Sequence, residues 1–222
     1  MLSLNYLSQF KRMKVVIFGA NGKTGTLLTE QALAKGHQVI AYNRRAGSLD
    51  QQHPSLKTII GKLNDTAKLK EAIAGSDACI SVLGGNSLTK HSTEIIAGIN
   101  NIVSIMENEN VKRFIYLSSL GAGESRNMMG PMIRFFIADI MLRVPLADHT
   151  VNEQRIAKSS LLWTLIRPAG LTNGPKTGRL KHGNILNVMK ANPQISRANV
   201  ASFIIDQLSD ARYINEGVWI YG

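Results

Sequence analysis

The chain has a single cysteine, Cys79, among its 222 residues, which excludes an intrachain disulfide and fits a reducing, cytoplasmic setting. No stretch reaches the roughly 18 consecutive apolar residues that a membrane-spanning helix needs. The first ten residues, MLSLNYLSQF, lack both a charged start and a small-residue cleavage site, so no secretory leader is expected. Met13 stands directly before the first strand-like run. Residues 1–12 therefore read as an N-terminal extension, with Met13 as an alternative natural start. Acidic residues are scarce, 15 against 26 Lys and Arg, for a formal charge of +11. The imbalance is sharpest over residues 1–45, where seven basic side chains meet one acid, Glu30. Such an excess suits a solvated basic surface, an anionic ligand, nucleic acid or a membrane face. Aromatic and basic residues do not interleave and no recognition motif is present, so nucleic-acid binding is not expected.

What is present is a regular alternation. Short apolar runs rich in Val and Ile occur at 14–18, 38–42, 58–60, 78–82, 113–117, 163–166 and 217–221, as for strands buried on both faces. Helical patterns fill most gaps, at 24–35, 66–74, 91–109, 131–143, 147–159 and 198–209. The pattern predicts an α/β chain: a Rossmann-type, doubly wound, mainly parallel sheet with helices on both faces, as one domain over residues 13–222. Two glycine-rich stretches interrupt the rhythm after predicted strands. They place substrate loops at 121–145 and 170–184, on the sheet edge where open α/β proteins bind ligands.

The stretch VVIFGANGKTG, residues 15–25, ends a predicted strand on Gly19, Gly22 and Gly25. The first glycine suits a tight turn, the second a close approach of backbone to a pyrophosphate, and the third close packing of the helix that follows. Backbone amides at the helix start, with Asn21, Lys23 and Thr24 beside them, would then face the anion. The second strand ends AYNRR. No acid stands there to bind a ribose 2′-hydroxyl. Arg44, helped by Arg45 and Lys23, suits a 2′-phosphate, so NADP(H) is the expected cofactor. No metal site is expected.

With its Gly-x-x-Gly-x-x-Gly turn, the chain resembles the short-chain dehydrogenase/reductase superfamily in its extended and atypical branches. The similarity continues through IIGKLND (59–65), SVLGG (81–85), RFIYLSSLGAG (113–123), PLADHTVNEQRI (145–156), IRPAGLTNGPKTG (166–178) and ISRANVASFIIDQL (195–208). It is nearest to the atypical NAD(P)H-binding group that includes biliverdin reductase B. The resemblance implies cofactor contacts from Lys62 and Leu63, from Leu83 and Gly84, from Ser118, and from Pro168, Ala169 and Gly170. It implies catalytic positions at Ser119 and His149. Lys62 replaces the family's usual aspartate, and Asn199 stands for another.

The superfamily's Tyr and Lys pair, four residues apart, is missing. None of Tyr6, Tyr42, Tyr116, Tyr213 and Tyr221 has Lys four residues later. Aligning Glu153 with the family's Glu puts His149 at the lysine position and Pro145 at the tyrosine position. A carbonyl needs an acid when hydride arrives, whereas a flavin, quinone or bilin yields a delocalised anion that takes its proton from water. The missing tyrosine therefore predicts an NADPH-dependent reductase of a small conjugated acceptor, monomeric or homodimeric. A regulatory NADP(H) sensor is the alternative. An epimerase- or dehydratase-like enzyme on a nucleotide-linked substrate is a third reading, disfavoured because about fifty residues after 170 leave little room for a substrate domain. Segment 131–144 is apolar nearly all round, with Asp139 and Arg143 spaced to pair. It reads as a buried helix, or else as a lid, a membrane-surface contact or a dimer contact.

Overall fold

A computed structural model describes residues 12–184, apart from 48, 50 and 86, and residues 193–222. All of the expected extension but Arg12 lies outside these described residues. The chain runs β1 (Lys14–Phe18), α1 (Lys23–Ala34), β2 (Gln38–Asn43), β3 (Leu56–Ile60), α2 (Thr66–Ile73), β4 (Ala78–Ser81), α3 (Thr93–Asn108) and β5 (Arg113–Leu117). A 3₁₀ turn (Gly123–Met128) and α4 (Pro131–Ile133) follow, and α4 continues as a π-helix (Arg134–Met141). Then come α5 (Arg143–Ala157), β6 (Leu162–Pro168), β7 (Gly170–Thr172), β8 (Lys181–Gly183), β9 (Gln194–Ser196), α6 (Arg197–Asp206) and β10 (Glu216–Tyr221).

The main sheet has the order β3-β2-β1-β4-β5-β6-β10-β8. Its neighbours pair in parallel from β3 to β10, and β8 closes the far edge antiparallel. This is the doubly wound, mainly parallel sheet that the alternation predicts. Strand period two divides the core. Val15 and Ile17 of β1 pack with Leu28 of α1 and Val200 and Ile204 of α6 on one face. Val16 and Phe18 pack on the other with Leu69 and Ile73 of α2 and Ile99, Ile102 and Met106 of α3. Strand order reverses at β1 and β4. The crevice of such a sheet opens at the carboxyl ends of those two strands. Cys79 lies in β4, and burial pushes its thiol up to about 12, which keeps it protonated and inert.

The 121–145 and 170–184 stretches are more ordered than loops: they contain the 3₁₀ turn, the π-helix, β7 and β8. Helix α5 begins at Arg143, four residues before the expected start. Pro145 is tolerated because it sits in the first turn, where its missing N–H would have had no partner. Segment 131–141 is not a buried helix. Of the side chains described there, only Ala138 is buried, against Ala122 and Leu146, while Met132, Phe135, Phe136, Ile140 and Met141 are exposed. Asp139 pairs with Arg126 of the 3₁₀ turn rather than with Arg143. The i→i+5 winding and the break at Leu142 take residue 143 out of line with 139.

Candidate functional site

The β1–α1 turn builds one wall. Gly19 has φ +86°, and a Cβ there would stand 3.2 Å from the Val82 carbonyl. An L side chain is strained by both facts. At Gly25 a Cβ would lie 2.0 Å from the Gly19 carbonyl oxygen and 2.8 Å from Ala20, so no side chain fits where α1 leaves the turn. The Gly22 amide donates to the Gly19 carbonyl at 3.0 Å, and Gly22 caps α1 with no side-chain hydrogen bond and no acid in the first turn. The positive end of α1 is thus left to a ligand. Thr24 and Gly25 are buried in this junction, whereas Lys23 is exposed.

Gly19, Asn21 and Gly22 open onto a cavity of about 590 Å³. Arg44 and Arg45, just past β2, line it too, as do Leu63, Leu83 and Gly84. Lys62 is exposed and does not line it; its carbonyl accepts the Tyr42 hydroxyl at 2.8 Å. Burial, with help from Asp65 and Glu71, pushes the Tyr42 phenol up to about 12, so this tyrosine stays protonated. Across the cavity rim Glu94, in the first turn of α3, approaches Arg44 at 3.6 Å.

Three strands around β1 end in buried polar side chains with no partner among the described residues. They are both amide atoms of Asn43 in β2, the Ser81 hydroxyl in β4 and the Ser118 hydroxyl just after β5. Buried polar groups are rarely left unpaired. Four of the eight such atoms among the described residues lie at these strand ends, and Asn43 lines the cavity; together with the glycine cradle and the uncapped helix start, this fits a polar ligand the size of a dinucleotide.

On the α5 side the polar groups are partnered. Asp148 is buried and divides its carboxylate: Oδ2 accepts the Ser92 amide at 2.7 Å, and Oδ1 meets His91 Nδ1 at 2.5 Å. The His91 side chain is 58% exposed and lines the cavity. His149 does not line it. Its Nδ1 lies 2.8 Å from the Tyr116 hydroxyl, which also accepts Asn152 Nδ2 at 3.0 Å. The Tyr116 hydroxyl thus has an amide donor and an imidazole partner, and either its O–H or the Nδ1–H can donate in the second bond. Burial lowers the His149 pKa and raises that of Tyr116. Next along α5, Glu153 makes a two-pronged pair with Arg167 of β6, at 3.0 and 2.9 Å, and both side chains are buried.

Ser119 donates to the neighbouring Leu120 carbonyl at 3.3 Å. Pro168 ends β6, the buried Ala169 donates to Ile220, and Gly170 opens β7 by donating to Pro193. None of these four lines the 590 Å³ cavity, nor does Ser118. Asn199, at the start of α6, holds the 177–178 turn: its Oδ1 accepts both amides at 3.0 and 3.2 Å.

Sequence reading missed His91 and Glu94. His91 stands 57 positions from Asp148, so no local spacing joins them. Glu94 carried one signal, an acid in the first turn of a helix, which the dipole favours in any helix.

A family model described as NAD(P)H-binding matches residues 19–211. An uncharacterized chloroplastic protein of Arabidopsis thaliana is 29% identical over 181 residues, 77% of this chain and 63% of its own length. A short-chain dehydrogenase/reductase of Veillonella parvula, solved in complex with NADP, superposes with TM-score 0.81 at 18% identity, covering 95% of this chain and 94% of that one. ChuY, an anaerobilin reductase of Escherichia coli O157:H7, gives TM-score 0.76 at 23% identity over 94% of this chain and 96% of its own. These two likenesses establish the shared fold.

Proposed function

The chain belongs to the NAD(P)H-binding family, and from that premise we propose that it is an NADPH-dependent reductase passing hydride to a small conjugated acceptor of flavin, quinone or bilin type. The observation that carries the cofactor half is the glycine turn and uncapped start of α1 opening, beside the unpartnered amide of Asn43, onto the 590 Å³ cavity. The start of α1 would hold the pyrophosphate, and Arg44 the 2′-phosphate. The Veillonella relative binds NADP on the same fold.

When bound, NADPH supplies the hydride. The protein's residues orient the acceptor and deliver one proton, so that a quinone, for example, leaves as the quinol. Tyr116 is unsuited to that proton because it is fully buried, its hydroxyl is engaged by His149 and Asn152, and burial raises its pKa. His91 is suited: its Nδ1 is held by Asp148, its ring lines the cavity, and its exposure allows reprotonation from water. We assign it the proton, passed from Nε2 to the reduced acceptor. Ser119 and His149 act as positioning residues at the end of β5 and behind it. The neighbour described as an anaerobilin reductase supports an acceptor of bilin type.

The test is a titration of the full chain with NADPH and NADH, followed by turnover with a quinone, a flavin and a bilin. NADPH should bind more tightly and be consumed with at least one acceptor class. His91→Gln should lower kcat about a hundredfold, the lower end of general-acid effects, with NADPH affinity unchanged. Absence of affinity for either dinucleotide would overturn the reading. Binding without turnover would replace it with a sensor.

A further inference from the structure

Five of the ten exposed large apolar residues among those described fall within ten positions: Met132 (75% exposed), Phe135 (54%), Phe136 (60%), Ile140 (60%) and Met141 (50%). The i→i+5 winding of the π-helix gathers them. Residues 135 and 140, and 136 and 141, are five apart, and 132, 136 and 140 are four apart, so they form one outward face. The inward side is fixed by Ala138 against Ala122 and Leu146, and by the Asp139–Arg126 pair. Single exposed apolar residues need no account, but a contiguous group of this kind marks an interaction surface.

Charge decides what it meets. Between residues 125 and 147 the only acid is Asp139, already paired, while Arg134, which lines a cavity of about 470 Å³ beside Phe135 and Asp139, and Arg143, past the end of the π-helix, are exposed with no ion pair among the described residues. The whole chain carries +11. A second copy would bring the same arginines and the same net charge against this face. An anionic lipid surface brings the opposite charge and an apolar layer beneath it. We propose that the π-helical face docks on the surface of an anionic bilayer, its Phe, Ile and Met side chains entering the headgroup boundary and Arg134 and Arg143 pairing with lipid phosphates, without spanning the membrane.

The test is sedimentation of the full chain with vesicles of phosphatidylcholine, with and without about one third phosphatidylglycerol. The protein should pellet with the anionic vesicles and remain in solution with the neutral ones. The double variant Phe135→Ser/Phe136→Ser should lower the partition coefficient at least tenfold. Arg134→Gln and Arg143→Gln should each lower it about fivefold, and moderate salt should weaken it further. The substituted side chains are exposed, so the melting temperature should not move, and a control spectrum checks that. Dinucleotide affinity, read on the same samples, reports separately on the reductase assignment. Failure to pellet, equal pelleting with neutral vesicles, or a solution dimer that the Phe135→Ser/Phe136→Ser variant dissociates would each overturn the proposal.

Discussion

The α1 wall and the α5 wall of the site are built on opposite principles. Around the glycine turn, polar groups are left open to the cavity: an uncapped helix start and the amide of Asn43. Along α5, each polar side chain in the sequence Asp148, His149, Asn152, Glu153 is used by the protein itself. An unpaired buried polar group costs about 1–3 kcal/mol, so the first wall is where a ligand gains most by arriving. The second wall is a rigid support that presents one titratable ring, His91, to the cavity.

The contrast breaks most sharply at the Glu153–Arg167 pair. Glu153→Gln leaves the buried Arg167 guanidinium with only the exposed Glu124, 3.1 Å away, as countercharge and should cost about 3 kcal/mol of stability, the low end for a broken buried pair, read as a lower urea midpoint. Gly123 and Gly217 leave room for this pair, since a Cβ at either would come within 2.5 Å of its polar atoms. If the α5 wall is support and the α1 wall is the ligand site, NADPH affinity of the folded fraction should change little. A loss of affinity larger than the loss of stability would merge the two walls into one.

The converse substitution is Arg44→Ala. Arg44 is well exposed, so stability should hold, while NADPH binding should weaken about tenfold and NADH binding stay level. Isothermal titration with both dinucleotides measures this. Equal losses for both would remove the 2′-phosphate from this strand end.

The α5 wall also carries a pH signature. Burial lowers the pKa of His149, and it lowers His37 and His182 too, with Lys35 and Arg212 adding to the effect there. A histidine depressed in the folded chain takes up its proton first in the unfolded chain, near 6.5. The unfolded state then binds more protons, so stability must fall as pH drops below that value. The urea midpoint should therefore decline between pH 7 and 5, and less steeply in His149→Gln. A flat midpoint across that window would mean that His149 carries its proton inside the fold.

How much of this the sequence disclosed differs between the walls for a physical reason. The glycine turn is local: Gly19, Gly22 and Gly25 act within one turn of chain, and their spacing is the mechanism. The doubly wound, mainly parallel fold was legible for the same cause, since short apolar runs alternating with helical patterns are short-range features. The α5 wall depends on pairs 14 to 57 residues apart, such as Glu153 with Arg167 and His91 with Asp148, which leave no periodic trace. Motif matching reached Asp148 and His149 but could not tell which imidazole would face the cavity. The π-helix was misread because apolar residues on all sides imply burial under α-helical winding, whereas i→i+5 winding separates an inward Ala138 from an outward aromatic face.

The finest comparison lies within the α1 wall, between Arg44 and Glu94. Their ion pair, 3.6 Å long and exposed on both sides, is a weak one. On the proposed reading it would oppose binding of a 2′-phosphate, because the carboxylate occupies the guanidinium and repels a dianion. Glu94→Gln removes both effects while keeping size and hydrogen-bonding capacity. NADPH affinity should rise about threefold, in line with an exposed pair of this strength, and NADH affinity should stay within error. The gain should shrink in high salt, where Glu94 is already screened. If Glu94→Gln instead weakens NADH more than it affects NADPH, the carboxylate is serving as the acceptor for a ribose hydroxyl, and the cofactor preference of the site turns toward NADH.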